Sequence, residues 1–176
     1  MLPMRREPFF TLPNIISMSR FVMAAGFLAT RSTDARVALL GAASLSDILD
    51  GWVARRRAVV TRLGAMLDPV ADRTFVLVVV VIFLAQARIT RTEYFVLLAR
   101  DLATAVGFLV ARSVRWLRAV PFQARTAGKV VTVLQMATLL SVLVYPPAVP
   151  ALVAVVGVAS IVAIADYTWM LWSAPR

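Results

Sequence analysis

Apolar residues run along this chain in six stretches separated by short polar or basic segments. Each is near the ~20 residues that a helix needs to cross a bilayer. The pattern predicts helices over about 13–30, 37–57, 61–86, 94–112, 128–145 and 151–172. Pro13 suits a first helical turn, where its missing N–H costs nothing. Pro146, Pro147 and Pro150 break the chain between the last two helices. Residues 1–12, with Arg5, Arg6 and Glu7 ahead of Phe9 and Phe10, read as an interfacial lead-in. The expected fold is an all-α integral membrane protein of six transmembrane helices, a single domain over 1–176.

Composition supports the membrane reading: 61% of the 176 residues are hydrophobic, against about 45–50% in soluble domains. No cleavable secretory signal is expected, because the first apolar run lacks a small-residue cleavage site and leads into more membrane sequence. The net charge of +10 could suggest nucleic acid, but basic residues also gather in cytoplasmic loops. With the N-terminus inside, twelve of the nineteen Lys and Arg residues fall in inner segments, chiefly Arg55, Arg56, Arg57 and the stretch from Arg112 to Lys129. Arg31, Arg36, Arg88 and Arg91 lie in outer turns, and Arg20, Arg73 and Arg100 within spans. Both termini are therefore expected in the cytoplasm, at the inner membrane if the source is bacterial.

The chain has no cysteine and no histidine. That excludes thiolate chemistry, a Ser-His-Asp triad, a histidine-bearing zinc site and a phosphohistidine intermediate. Catalysis, if present, falls to carboxylates and bound metal.

Four carboxylates stand out. Asp47 and Asp50 close the second predicted helix, Asp68 and Asp72 open the third, and a very basic turn separates them. Spacings of i,i+3 and i,i+4 put each pair on one helix face. Asp50 lies five residues before Arg55 and Asp68 six after Arg62, so both are roughly 8–9 Å from the basic turn. A short link makes the two helices antiparallel neighbours, and the pairs meet at one depth. Gly51 and Gly64 thin the helices beside them. Four acids in a partly desolvated site need protons or cations, and all-oxygen ligation suits Mg²⁺ or Mn²⁺. A plainer alternative has them pairing with Arg55, Arg56, Arg62 and Arg73 as surface salt bridges.

Asp47, Asp50, Gly51, Ala54, Arg55, Gly64, Asp68 and Asp72 match all eight fixed positions, with the gaps, of the CDP-alcohol phosphotransferase signature. The chain resembles that family over nearly its full length. The resemblance implies that a CDP-linked lipid binds with its diphosphate on two metal ions, an acceptor hydroxyl attacks the β-phosphorus, and CMP leaves. It implies Asp47, Asp50 and Asp68 as metal ligands, with Asp72 close to the metals and acting as general base. Gly51, Ala54, Arg55 and Gly64 are expected to line the nucleotide pocket, and the enzyme to be a homodimer.

The segments Leu12 to Arg20, Leu67 to Arg73 and Gly128 to Gln135 resemble those of phosphatidylglycerophosphate synthases and, in part, of the related cardiolipin synthases. Asp101 after Arg100 is similar to cardiolipin synthases, where glycerophosphate enzymes more often carry glutamate. Val131 stands where lysine is usual. Glycerol 3-phosphate is the favoured acceptor and phosphatidylglycerol the alternative, with Arg112, Arg125 and Lys129 as candidate ligands for the acceptor's phosphate.

Arg100 and Asp101 are read as deep in the membrane, as structural partners or pocket walls. Asp166 calls for a basic partner, Arg20 or Arg100. Trp116, Trp169 and Trp172 read as interfacial anchors. A cation transporter or membrane assembly subunit would also explain buried aspartates, but not their joint spacing with Gly51, Ala54, Arg55 and Gly64.

Overall fold

The computed structural model describes residues 12–57, 62–113 and 126–172. Six α-helices follow in order: α1 Leu12–Ala29, α2 Thr33–Arg57, α3 Arg62–Ala85, α4 Arg91–Ser113, α5 Thr126–Val144 and α6 Val149–Trp172. A short 3-10 turn, Pro146–Ala148, leads into α6. No strand occurs among the described residues.

Two helices begin three or four residues earlier than their apolar pattern predicts, and in both a polar cap explains it. The hydroxyl of Ser32 accepts the N–H of Ala35 at 3.4 Å, and Asp34 sits in the first turn of α2. This N-cap with an acid near the positive end of the helix dipole starts α2 at Thr33 rather than 37. At α4, Thr90 and Glu93 form a capping box. Glu93 N–H donates to Thr90 Oγ1 at 3.3 Å, while Thr90 N–H donates to Glu93 Oε2 at 2.7 Å. The helix therefore starts at Arg91 rather than 94.

The exit from α3 is closed by backbone alone. Arg88 N–H donates to Phe83 O at 2.9 Å and Ala87 N–H to Leu84 O at 3.0 Å, the Schellman pattern. Ala87 occupies the left-handed position with φ 52°, where glycine is usual.

The chain divides into two compact units, Met1–Ile82 and Phe83–Arg176. In the first, Arg20, Ala24 and Phe27 line the buried face of α1, and Arg36, Leu40 and Ala43 that of α2. Both sets follow the i, i+4, i+7 spacing of one helical face. Arg36 ties the two helices at their connection: its guanidinium lies 5.0 Å from the Phe27 ring centre, and Nε donates to Thr30 O at 3.1 Å. On α3, Ala71, Phe75, Val76 and Val79 are buried. Phe75 meets Phe27 edge-on with centroids 6.5 Å apart.

In the second unit α6 packs against both α4 and α5. Gly157 brings α6 so near α4 that a Cβ there would lie 3.2 Å from Val96 Cγ1. Leu97, Val131, Leu139, Val156 and Ala163 form the centre of this core.

Two stretches are long and apolar enough to cross a membrane, Ala127–Val144 and Pro146–Met170, and little of the second is buried within the protein. The exposed side chains of α6 include Val155, Val158, Ile161 and Val162, an apolar surface suited to lipid. Of the other four helices, α2, α3 and α4 each carry several charged residues, and α1 carries one, Arg20.

A candidate acidic active site on α2 and α3

The first unit holds the whole eight-position pattern. Asp47, Asp50, Gly51, Ala54 and Arg55 all lie within α2, and Gly64, Asp68 and Asp72 within α3. Both helices are unbroken through these positions. Asp47 and Asp50 are thus one turn apart on a single face, as are Asp68 and Asp72. The side chains of Asp47, Asp50, Gly51, Ala54, Arg55, Gly64 and Asp68 lie outside the described residues, as does the lead-in up to residue 11. The donor set is made only of carboxylates, hard oxygen ligands that fit Mg²⁺ or Mn²⁺.

Asp72 is the member of the four whose side chain is described. It is 40% exposed and forms an ion pair with Arg20 of α1, whose side chain is 3% exposed. Its Oδ1, the oxygen paired with Arg20 Nη1, is fully buried. The exposure is therefore carried by the rest of the side chain. Asp72 follows Ala71, buried in the core, and stands three residues before Phe75. The same packing that seats Phe75 on Phe27 brings Asp72 to Arg20, and both contacts require α1 and α3 to run in one direction.

The sequence reading offered Arg55, Arg56, Arg62 and Arg73 as salt-bridge partners for the acids; for Asp72 the partner is Arg20. The sequence held the demand for a partner but not its identity. A lone arginine on the buried face of α1 demands a counter-charge, and Asp72 is the acid that the helix packing presents to it.

The second unit carries a separate polar cluster. Arg100 Nη1 donates to Asp101 Oδ1 at 3.2 Å and to Thr132 Oγ1 at 3.4 Å. Gln135, 2% exposed, donates Nε2 to Leu97 O at 2.7 Å and Asp101 Oδ2 at 3.2 Å. Gly128 is the seat of the guanidinium: a Cβ there would lie 2.5 Å from Arg100 Nη2. Arg20 pairs with Asp72 and Arg100 with Asp101, and Asp166 has a partner of its own.

These contacts place Arg100 level with the first turns of α5, toward one end of the apolar run Ala127–Val144. The residues of α4 that follow Arg100 make about three and a half turns, up to Ser113. Lys129 is exposed in the first turn of α5, next to that cluster. Arg112 stands about 18 Å farther along α4 than Arg100, its side chain outside the described residues, and Arg125 lies outside them altogether.

The profile of the CDP-alcohol phosphatidyltransferase family matches residues 10–172. The chain belongs to that family. A CDP-diacylglycerol–glycerol-3-phosphate 3-phosphatidyltransferase of Rickettsia bellii is 33% identical over 133 residues, 71% of this chain and 70% of that protein. One of Aquifex aeolicus is 32% identical over 108 residues, 57% of this chain and 61% of its own length. A cardiolipin synthase (CMP-forming) of Streptomyces coelicolor is 34% identical over 110 residues, 56% and 51% of the two chains. The chain thus spans about three fifths of the Aquifex relative and half of the Streptomyces one. The CDP-alcohol phosphatidyltransferases are transferases of phospholipid synthesis that generally use divalent metal ions.

Proposed function

We propose that the protein transfers a phosphatidyl group from CDP-diacylglycerol to the hydroxyl of glycerol 3-phosphate and releases CMP. The observation that carries this reading is the complete acidic pattern on two unbroken helices, with one carboxylate half-exposed beside a buried arginine. The similarity to phosphatidyltransferases named for glycerol 3-phosphate supports the acceptor. Membership in a transferase family favours the enzyme over a transporter or assembly subunit.

In this reading Asp47, Asp50 and Asp68 hold Mg²⁺ or Mn²⁺, two ions in all, with Asp72 on the same face. Bound there, the metal would neutralise the diphosphate and the charge that develops during an in-line displacement. Gly51, Ala54, Arg55 and Gly64 line the nucleotide, the glycines letting it approach the backbone closely. Asp72 takes the proton of the acceptor hydroxyl, a role that needs a carboxylate with an accessible oxygen. Arg112, Arg125 and Lys129 bind the acceptor's phosphate. Six crossings, a single domain over 1–176, cytoplasmic termini, a site facing the cytoplasm of a bacterial inner membrane and a homodimer complete the proposal.

A second reading takes phosphatidylglycerol as acceptor, making the enzyme a cardiolipin synthase of the same family. Asp101 supports it, and so does the similarity to a cardiolipin synthase over a comparable stretch. The deciding assay supplies purified protein with CDP-diacylglycerol, Mn²⁺ and either labelled glycerol 3-phosphate or phosphatidylglycerol. Labelled lipid with stoichiometric CMP from glycerol 3-phosphate alone is the expected result, falling by about 10²-fold or more in Asp72→Asn. Product from phosphatidylglycerol alone would establish the second reading. Product from neither acceptor would overturn both.

A further inference from the structure

Arg20 lies on the buried face of α1, about one and two helix turns from the apolar Ala24 and Phe27 of the same face. An arginine held there serves a partner, because an uncompensated guanidinium at 3% exposure is costly. Its partner is Oδ1 of Asp72, and that oxygen is completely enclosed. The rest of the side chain reaches the surface, since the side chain as a whole is 40% exposed. The two oxygens of Asp72 thus stand in different environments.

We propose that Arg20 is a positioning residue that commits Oδ1 of Asp72 and leaves Oδ2 to face the acceptor hydroxyl. The inference rests on the reading of Asp72 as general base. In the transfer, the acceptor oxygen forms a bond to the β-phosphorus, and the bond from that phosphorus to the bridging oxygen breaks. The electron pair departs with CMP, and the hydroxyl proton moves to Oδ2. A carboxylate free to rotate would offer either oxygen in many orientations. One anchored through Oδ1 to a side chain that is itself packed between helices offers a single oxygen along a fixed direction. Positioning of this kind matters because misplacement by about 1 Å can cost about 10²-fold in rate. Arginine suits the task better than lysine, since its planar, rigid donor fork defines the orientation of the carboxylate plane.

The test compares Arg20→Met, Arg20→Lys and Asp72→Asn in detergent-purified full-length protein, using CDP-diacylglycerol, Mn²⁺ and whichever acceptor supports turnover. Arg20→Met should lower kcat by about 10²-fold while KM for CDP-diacylglycerol stays within about twofold, because a positioning role acts on the chemical step. Arg20→Lys, which keeps the charge without the fork, should recover about tenfold of that loss. If Arg20→Met turns over like the wild type while Asp72→Asn is inactive, the positioning role is wrong and the base assignment stands. If Asp72→Asn is as active as the wild type, the base assignment itself falls. A loss in Arg20→Met carried by KM, or one that lysine does not relieve, would mark a structural role and overturn the inference. Should Arg20→Met fail to fold, Arg20→Lys decides alone: a severalfold fall in kcat at constant KM supports the proposal, and an unchanged kcat overturns it.

Discussion

Charged side chains inside an apolar protein come with partners, and their pairing here is specific. Asp101 accepts hydrogen bonds from Arg100 through one oxygen and from Gln135 through the other, so it links two helices and offsets a cation only 16% exposed. Asp101→Asn would leave that cation without its counter-charge. The expected cost is about 3–5 kcal/mol, seen as a lower midpoint of thermal unfolding in micelles, whereas Asp34→Asn on the exposed start of α2 should change it little. At this scale the residue types were legible in the sequence and their partners were not. Spacing puts Asp68 and Asp72 on one face, but which arginine meets Asp72 depends on how α1 lies along α3. The same holds for Arg100, whose surroundings are set by the start of α5.

Six helices were readable from apolar runs because each run has the length of a membrane span and a polar break at either end. Their starts were less readable where a cap extends the helix into polar sequence, at Ser32 for α2 and at Thr90 with Glu93 for α4. The end of α3 holds a testable flaw. Ala87 adopts a left-handed conformation at φ 52° in a position that the hydrogen bonds of the turn impose, and a Cβ costs roughly 1 kcal/mol there. Ala87→Gly should relieve it and stabilise the protein by about that amount, less the entropy that glycine adds to the unfolded chain. Chemical denaturation followed by circular dichroism would measure the gain; a destabilised variant would mean that the turn is held by other forces.

The two units divide the candidate chemistry between them. The acidic pattern, the proposed nucleotide contacts and Arg20 belong to the first, while Arg100, Arg112, Arg125 and Lys129 belong to the second. Metal binding is therefore a property of the first unit in this proposal. A ligand that binds only the folded state stabilises it by about 2.7 kcal/mol at a hundred times its dissociation constant. Mn²⁺ should accordingly raise the unfolding midpoint of the wild type, and chelation should reverse the shift. Asp47→Asn with Asp68→Asn should abolish the response. A metal-induced shift that survives in the double variant would locate the ion elsewhere. Family membership was legible because eight fixed positions fall within a short stretch of chain. The acceptor was not, since the basic residues that would choose it lie in another part of the molecule and two of the three have no described side chain.

The last helix presents most of its oily surface outward, with less than a third of a 25-residue stretch covered by the protein itself. Water would not tolerate such a belt, so the protein stays dissolved in the same two-dimensional fluid as the diacyl nucleotide lipid of the proposed reaction. That substrate can arrive sideways, by lateral diffusion from neighbouring lipid, without a carrier to lift it through the aqueous phase. Encounter rates would then follow the mole fraction of the nucleotide lipid in the bilayer rather than its bulk concentration.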